Sequence, residues 1–146
     1  MDRSNPTLLE FLQEEESPST LLPTLTARAI SLLSSRSFTS PFFPHNFIPQ
    51  VPVNIDGQKS TGLQSLLDSY RLTVRDNPNL KVHVLDSAVG VKGDVAWVTC
   101  NVKSEGFADG VSRAGTVMAK WITTDDGWRC GKWEVILGMA LGFWRV

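Results

Sequence analysis

Cysteine is scarce in this sequence, with two in 146 residues, Cys100 and Cys130. Two thiols build neither a disulfide framework nor a four-ligand zinc site. Charge of one sign is missing too: 14 basic residues stand against 15 acidic, for a formal net charge of −1. That balance leaves no basic footprint for nucleic acid. No apolar run approaches the ~20 residues that a membrane span requires. The opening MDRSNPTLLEFLQEEE carries an acidic triplet where a secretory signal needs an unbroken apolar stretch. Phosphate-loop, nucleophile-elbow and metalloprotease patterns (GxGxxG, GxSxG, HExxH) are absent. Together these absences lead us to expect a soluble, cytoplasmic chain that uses neither metal nor cofactor and whose chemistry is acid–base work on a bound organic molecule.

The length suits one domain with a core of its own. Residues 1–20 read as a polar arm, or as a short amphipathic helix that follows Asn5-Pro6 and carries Leu8, Leu9, Phe11 and Leu12. Residues 21–146 read as a single α+β domain. Leu22, Leu25, Ala29, Leu32 and Leu33 recur at helical spacing and predict a helix over Pro23–Ser35. Residues 38–58 contain Pro41, Pro44, Pro49 and Pro52, which argue against a long helix and against a central strand. Phe38, Phe42, Phe43, Phe47 and Ile48 say that the segment is nonetheless packed. A second helix is predicted from Thr61 to Asp76, with Leu63, Leu66, Leu67, Tyr70 and Val74 as its apolar stripe; Asn77-Pro78 ends it. Beyond Pro78 the pattern is strand and turn: Lys81–Val91, Val95–Lys103, Ser112–Thr123 and Trp128–Met139, an antiparallel meander.

Alternate strand residues point to opposite faces. Grouping the large rings puts Trp97, Thr99, Asn101, Arg113, Trp121, Trp133 and Leu137 on one face. That face reads either as plain core or as the wall of a small-molecule pocket. The other face collects Ala96, Val98, Cys100, Val102, Met118, Ile122 and Ile136, a set too apolar for water, and so predicts a homodimer through the sheet. The apolar run from Leu137 to Trp144 is expected to pack over the pocket opening or the dimer seam.

The layout TGLQSLLDSY, NPNLKVHV, GDVAWVTCNV and GVSRAGTVMAKWITTDDGWRCGKWEV resembles the nuclear transport factor 2-like superfamily over about residues 20–140. Within it the pattern is similar to the SnoaL-like polyketide cyclases and isomerases of secondary metabolism. The resemblance implies N-terminal helices on a strongly curved antiparallel sheet, a cone-shaped α+β barrel around an apolar pocket, usually dimeric. It places the ring-bearing face on the pocket side. The carboxylates of ketosteroid isomerase do not carry over: the base would fall near Val51–Asn54, where there is no acid and Asp56 is nearest, and the second aspartate falls near Ala119.

The candidate catalytic groups are therefore His45, Asp56, Tyr70, Asp86, Asn101 and Arg113. His45 lies in the segment expected at the pocket mouth, where an imidazole moves protons near neutral pH; as a lone histidine among prolines it reads equally as a surface residue. Asp56-Gly57 reads first as a turn. Asp86 shares parity with Val82 and Val84, so it reads as an inward carboxylate or as a solvated one beside a turn, whereas His83 points outward. Asn101 would need a hydrogen-bond partner that a ligand carbonyl could supply. Arg113 would meet an anionic group at the rim or pair with Glu105. Tyr70, the one tyrosine, would donate to a ligand or to a structural partner. Trp97, Thr99, Trp121, Trp133 and Leu137 are the candidate substrate-binding side chains. These point to a cofactor-independent isomerase or cyclase acting on a hydrophobic oxygenated metabolite of polyketide or terpenoid type. The alternative is a non-catalytic small-molecule-binding or dimeric interaction module of the same fold.

Overall fold

A computed structural model describes residues 17–140. The proposed N-terminal helix over Leu8–Leu12 and the apolar tail beyond Ala140 lie outside the described residues. The elements in chain order are α1 (Pro18–Ser34), α2 (Phe42–Asn46), β1 (Pro52–Ile55), β2 (Gln58–Thr61), α3 (Leu63–Asp76), β3 (Lys81–Lys92), β4 (Val95–Glu105), β5 (Arg113–Thr124) and β6 (Gly127–Ala140).

Helix α1 begins five residues before the sequence boundary. Pro18, which has no N–H to leave unpaired, takes the first turn, and Pro23 lies inside the helix. At the other end Arg36 adopts φ 65°, and the amides of Arg36 and Ser37 reach back to the Leu33 and Leu32 carbonyls at 3.3 and 2.8 Å. This is a Schellman cap with arginine in the place usually taken by glycine. Helix α3 turns Leu66, Leu67 and Val74 into the core.

The proline-rich segment is more ordered than its composition suggests. It holds α2 and a hairpin, β1–β2, whose two-residue turn is Asp56-Gly57 with φ 53° and 91°. Strand β1 is flanked on both sides, in the order β2-β1-β6-β5-β4-β3. The expectation that prolines exclude an interior strand fails because Pro52 sits at the first position of β1, where its missing N–H interrupts no ladder. Because β1 runs parallel to β6 while every other pair is antiparallel, the sheet is mixed rather than an antiparallel meander.

Register irregularities at Val84/Asp86, Arg113/Gly115 and Lys120/Trp121 bend the sheet. Its concave side takes α1 and α3. Leu22, Leu33, Phe43, Phe47, Trp121 and Trp133 are fully buried there.

The facing of β4 is the main correction to the sequence reading. Ala96, Val98, Cys100 and Val102 are buried beneath the helices, while Trp97 is 41% exposed. Residues directly opposite on neighbouring strands share a face, and Ala96 stands opposite Trp121, with Val98 opposite Ala119. Trp97 and Trp121 therefore point to opposite sides. The expected dimer face is split in the same way: Met118, Ile122 and Ile136 keep the outward parity, whereas Ala96, Val98, Cys100 and Val102 belong to the core.

Candidate functional site

Between α1, α3 and the concave side of the sheet lies a cavity of about 90 Å³. Ile30 and Leu33 on α1, Val74 on α3, and Val117, Val135 and Leu137 on the strands give it an apolar wall. Every polar side-chain atom on that wall is a hydroxyl. Three are committed: Ser34 Oγ accepts from the Val82 amide at 3.0 Å, Ser69 donates to Ser65 O at 2.9 Å, and Thr73 donates to Ser69 O at 3.0 Å. Tyr70 and Ser104 are the other two. The Tyr70 oxygen accepts a long hydrogen bond, 3.5 Å, from Trp133 Nε1. Its own proton has no acceptor among the described residues. Burial in the apolar wall raises the phenol pKa, and the indole N–H opposes that shift only in part. The phenol is therefore a neutral donor at physiological pH. Ser104 is 4% exposed, faces the same space and has no side-chain partner among the described residues.

The sequence candidates scatter. Leu137 and Tyr70 reach the cavity. Trp121 and Trp133 lie in the core behind it, with the Phe47 ring between them at 6.4 and 5.6 Å. Trp121 Nε1 donates to Thr26 Oγ1 at 2.9 Å. His45 is exposed on α2, and Asp56 is an exposed turn residue whose amide donates to Val135 O at 2.7 Å.

Asp86 loses its expected inward aim at the irregularity between Val84 and Asp86. Skipping Leu85 puts Asp86 opposite Asn101 on the outer face. There the Asn101 amide donates to Asp86 Oδ1 at 2.7 Å, and Thr116 donates to Asn101 Oδ1 at 3.3 Å. Asn101 is thus satisfied by side chains of the outer face. Thr99, opposite Met118, and Trp97, with the Lys120 ammonium 5.6 Å from its ring centre, share that side. Arg113 pairs with Asp109 at 2.9 Å rather than with Glu105, which takes His83 instead. The Arg113 guanidinium also lies 5.5 Å from the ring centre of Phe107, a cavity-lining residue.

Phe107 and Ser104 line the cavity but are not among the candidates that strand parity brings out. The signal for Phe107 is the tract EGFADG: a phenylalanine flanked by glycines in a turn has no local reason to be there. A wider polar groove of about 730 Å³, bordered by Ser31, Arg36, Lys81 and Glu105, opens to solvent outside the cavity.

This arrangement of helices on a curved, unclosed sheet is the nuclear transport factor 2-like fold. A nuclear transport factor 2-like protein with a cystatin-like fold from Novosphingobium aromaticivorans matches with a TM-score of 0.64 and 19% identity, over 94% of this chain and 90% of that one. A candidate ketosteroid isomerase from Shewanella frigidimarina matches at 0.66 and 12% identity, over 77% and 91%. The CaMKII hub of S. rosetta matches at 0.66 and 18% identity, over 84% and 98%. At such identities the likeness concerns the fold. No family model matches the sequence, and no curated protein matches it. No described helix is long and apolar enough to cross a membrane.

Proposed function

We propose that this chain binds a small, neutral, hydrophobic molecule bearing one oxygen acceptor, with the hydrocarbon part against the valine and leucine wall and the oxygen on Tyr70. The observation that carries this reading is the Tyr70 phenol: kept neutral, set in an apolar wall, its proton unclaimed among the described residues. A charged ligand would meet no counter-charge there, because no carboxylate, imidazole, ammonium or guanidinium lines the cavity among those residues.

A second reading is cofactor-independent isomerisation or cyclisation of a polyketide- or terpenoid-type metabolite. Tyr70 favours it, since a neutral phenol in a dry site stabilises charge developing on a carbonyl oxygen. The likeness of the fold to a candidate ketosteroid isomerase is compatible with it. Binding comes first because proton abstraction needs a base, and His45, Asp56 and Asp86 all lie outside the cavity lining.

We further propose a homodimer through the outer face of the sheet, supported by Trp97 and Ile136, which are 41% and 54% exposed.

The test of the binding reading is titration with 6-propionyl-2-dimethylaminonaphthalene, a neutral fluorophore whose single ketone responds to its surroundings. Saturable brightening is expected, with Tyr70→Phe weakening affinity roughly threefold to tenfold, the worth of one neutral hydrogen bond. No saturable binding by the wild type sinks the reading. Conversion of a β,γ-unsaturated ketone to its conjugated isomer, abolished in Tyr70→Phe, would put the catalytic reading first.

A further inference from the structure

A cavity of about 90 Å³ is far below the roughly 300 Å³ at which small-molecule pockets begin. It holds a few waters at most. If the binding reading above holds, and this inference rests on it, part of the wall must move.

Most of the wall cannot move cheaply. Ile30 and Leu33 are on α1, Tyr70 and Val74 on α3, and the valines on paired strands. The wall residues outside helices and strands are Leu80 and Phe107. Leu80 is 5% exposed, and its amide is bonded to Asn77 O at 2.9 Å. Phe107 is only partly buried. It stands on the β4–β5 connection, residues 106–112.

The ties of that connection to the body are few and solvent-facing. The Ala108 amide donates to Asn77 Oδ1 at 2.8 Å. Arg113 lies against the Phe107 ring and holds Asp109; the arginine is partly buried and the aspartate exposed. Exposed pairs of this kind are weak. The Gly110 amide closes a turn onto Phe107 O at 2.8 Å, so ring and turn travel together. The two ends of the segment differ. Gly106, at φ 88°, is jammed against the Asn79 backbone, where a Cβ would come within 1.9 Å of the Asn79 oxygen; Gly110, at φ 76°, has open space around it. One end is packed against backbone, and the other has open space beside it.

We propose that residues 106–112 form the door of the cavity, with Phe107 as the stopper and the Arg113–Asp109 pair as the latch. Phe107 then determines which molecules enter. Opening withdraws an uncharged ring from an apolar wall, so the door admits neutral, flat, largely hydrocarbon molecules. Polar solutes gain nothing by displacing it.

Stopped-flow mixing of the same naphthyl ketone with the whole protein separates the door from the pocket. Phe107→Ala is expected to raise the association rate constant about tenfold, with the dissociation rate rising too and the equilibrium constant changing much less. Arg113→Met, which keeps the stopper and releases the latch, should raise both rates in the same direction, and it carries the test should Phe107→Ala fail to fold. Wild-type binding with association rates unchanged in both variants overturns the door and leaves the pocket standing. Absence of binding in the wild type and both variants overturns both. Binding confined to the variants overturns the door together with the wild-type binding reading, because Phe107 then fills the space without opening.

Discussion

The indole N–H of Trp121 donates to Thr26 Oγ1 at 2.9 Å, and the Thr26 hydroxyl passes its own proton to the Leu22 carbonyl at 2.8 Å. Both residues are fully buried, so the Trp121–Thr26 bond ties α1 to the middle of the sheet, and the Thr26–Leu22 bond within the helix completes the relay. Thr26→Val keeps the shape and removes the relay. Leaving a buried indole N–H unpaired costs about 1–3 kcal/mol, and thermal denaturation should show it, with Thr26→Ser restoring most of the loss. Trp121→Ala should cost about 3–5 kcal/mol as plain core. It should leave naphthyl-ketone affinity unchanged in whatever fraction stays folded.

Trp133 and Trp97 should behave in opposite ways. Trp133, fully buried, reports on the fold. Trp97 stands on the outer face beside Lys120. Sedimentation is expected to show self-association at roughly tens of micromolar, as a standard-size interface supports. Trp97→Lys and Ile136→Lys should each abolish it while leaving the monomer's melting temperature nearly unchanged. A monomer at those concentrations would end the dimer proposal.

The thiols set an alkaline limit. Burial pushes Cys130 up to about 12. Burial, with the Asp86 charge adding to it, pushes Cys100 up to about 11. A thiol in the unfolded chain ionises near about 8.5. An acid held protonated only by the fold contributes stability below its unfolded pKa, and that contribution is lost as pH rises toward the folded values. Denaturation midpoints should therefore fall steadily above about pH 8.5, and less steeply in Cys130→Ala. A thiol-reactive disulfide should label neither cysteine promptly in the native protein at pH 8, and both at once in denaturant.

Two glycines in the same loop offer an internal control. Gly106→Ala and Gly110→Ala both force a side chain into positive φ, at a strain of about 1–3 kcal/mol. Only at Gly106 does the new methyl also collide with backbone, at Asn79. The first substitution should lower the melting temperature clearly more than the second. Equal effects would mean that the loop root is not packed as described.

Much of this fold is legible in the sequence, because apolar spacing marks α1 and α3 and strand-and-turn punctuation marks β3 to β6. Two short strands are hidden, since four prolines obscure the one permissive position at Pro52. The site is far less legible, and the reason is parity. Sorting strand residues by bulk groups Trp97 with Trp121, but in the sheet a large ring stands opposite a small residue, Trp121 over Ala96 and Trp97 beside Gly90. One skipped residue, Leu85, turns Asp86 from inward to outward. No pattern in β3 announces that skip. Phe107 is visible in the sequence, but its meaning depends on knowing which loop overhangs the concave side.

Strand β6 sits between β5 and β1, so Val53, paired with Ser60 inside its hairpin, finds its second neighbour only when Trp133 has arrived. On a ribosome the β1–β2 hairpin is made early and must wait, unpaired on its β6 side, until nearly all of the described chain has emerged. The β3–β4–β5 meander has no such delay, because its contacts are between successive strands. Assembly should run from the middle of the chain outward, with docking of the first hairpin as the slow, non-local step. During that interval the exposed strand of the hairpin is the part of a nascent chain that a chaperone, or a second nascent copy, would meet first.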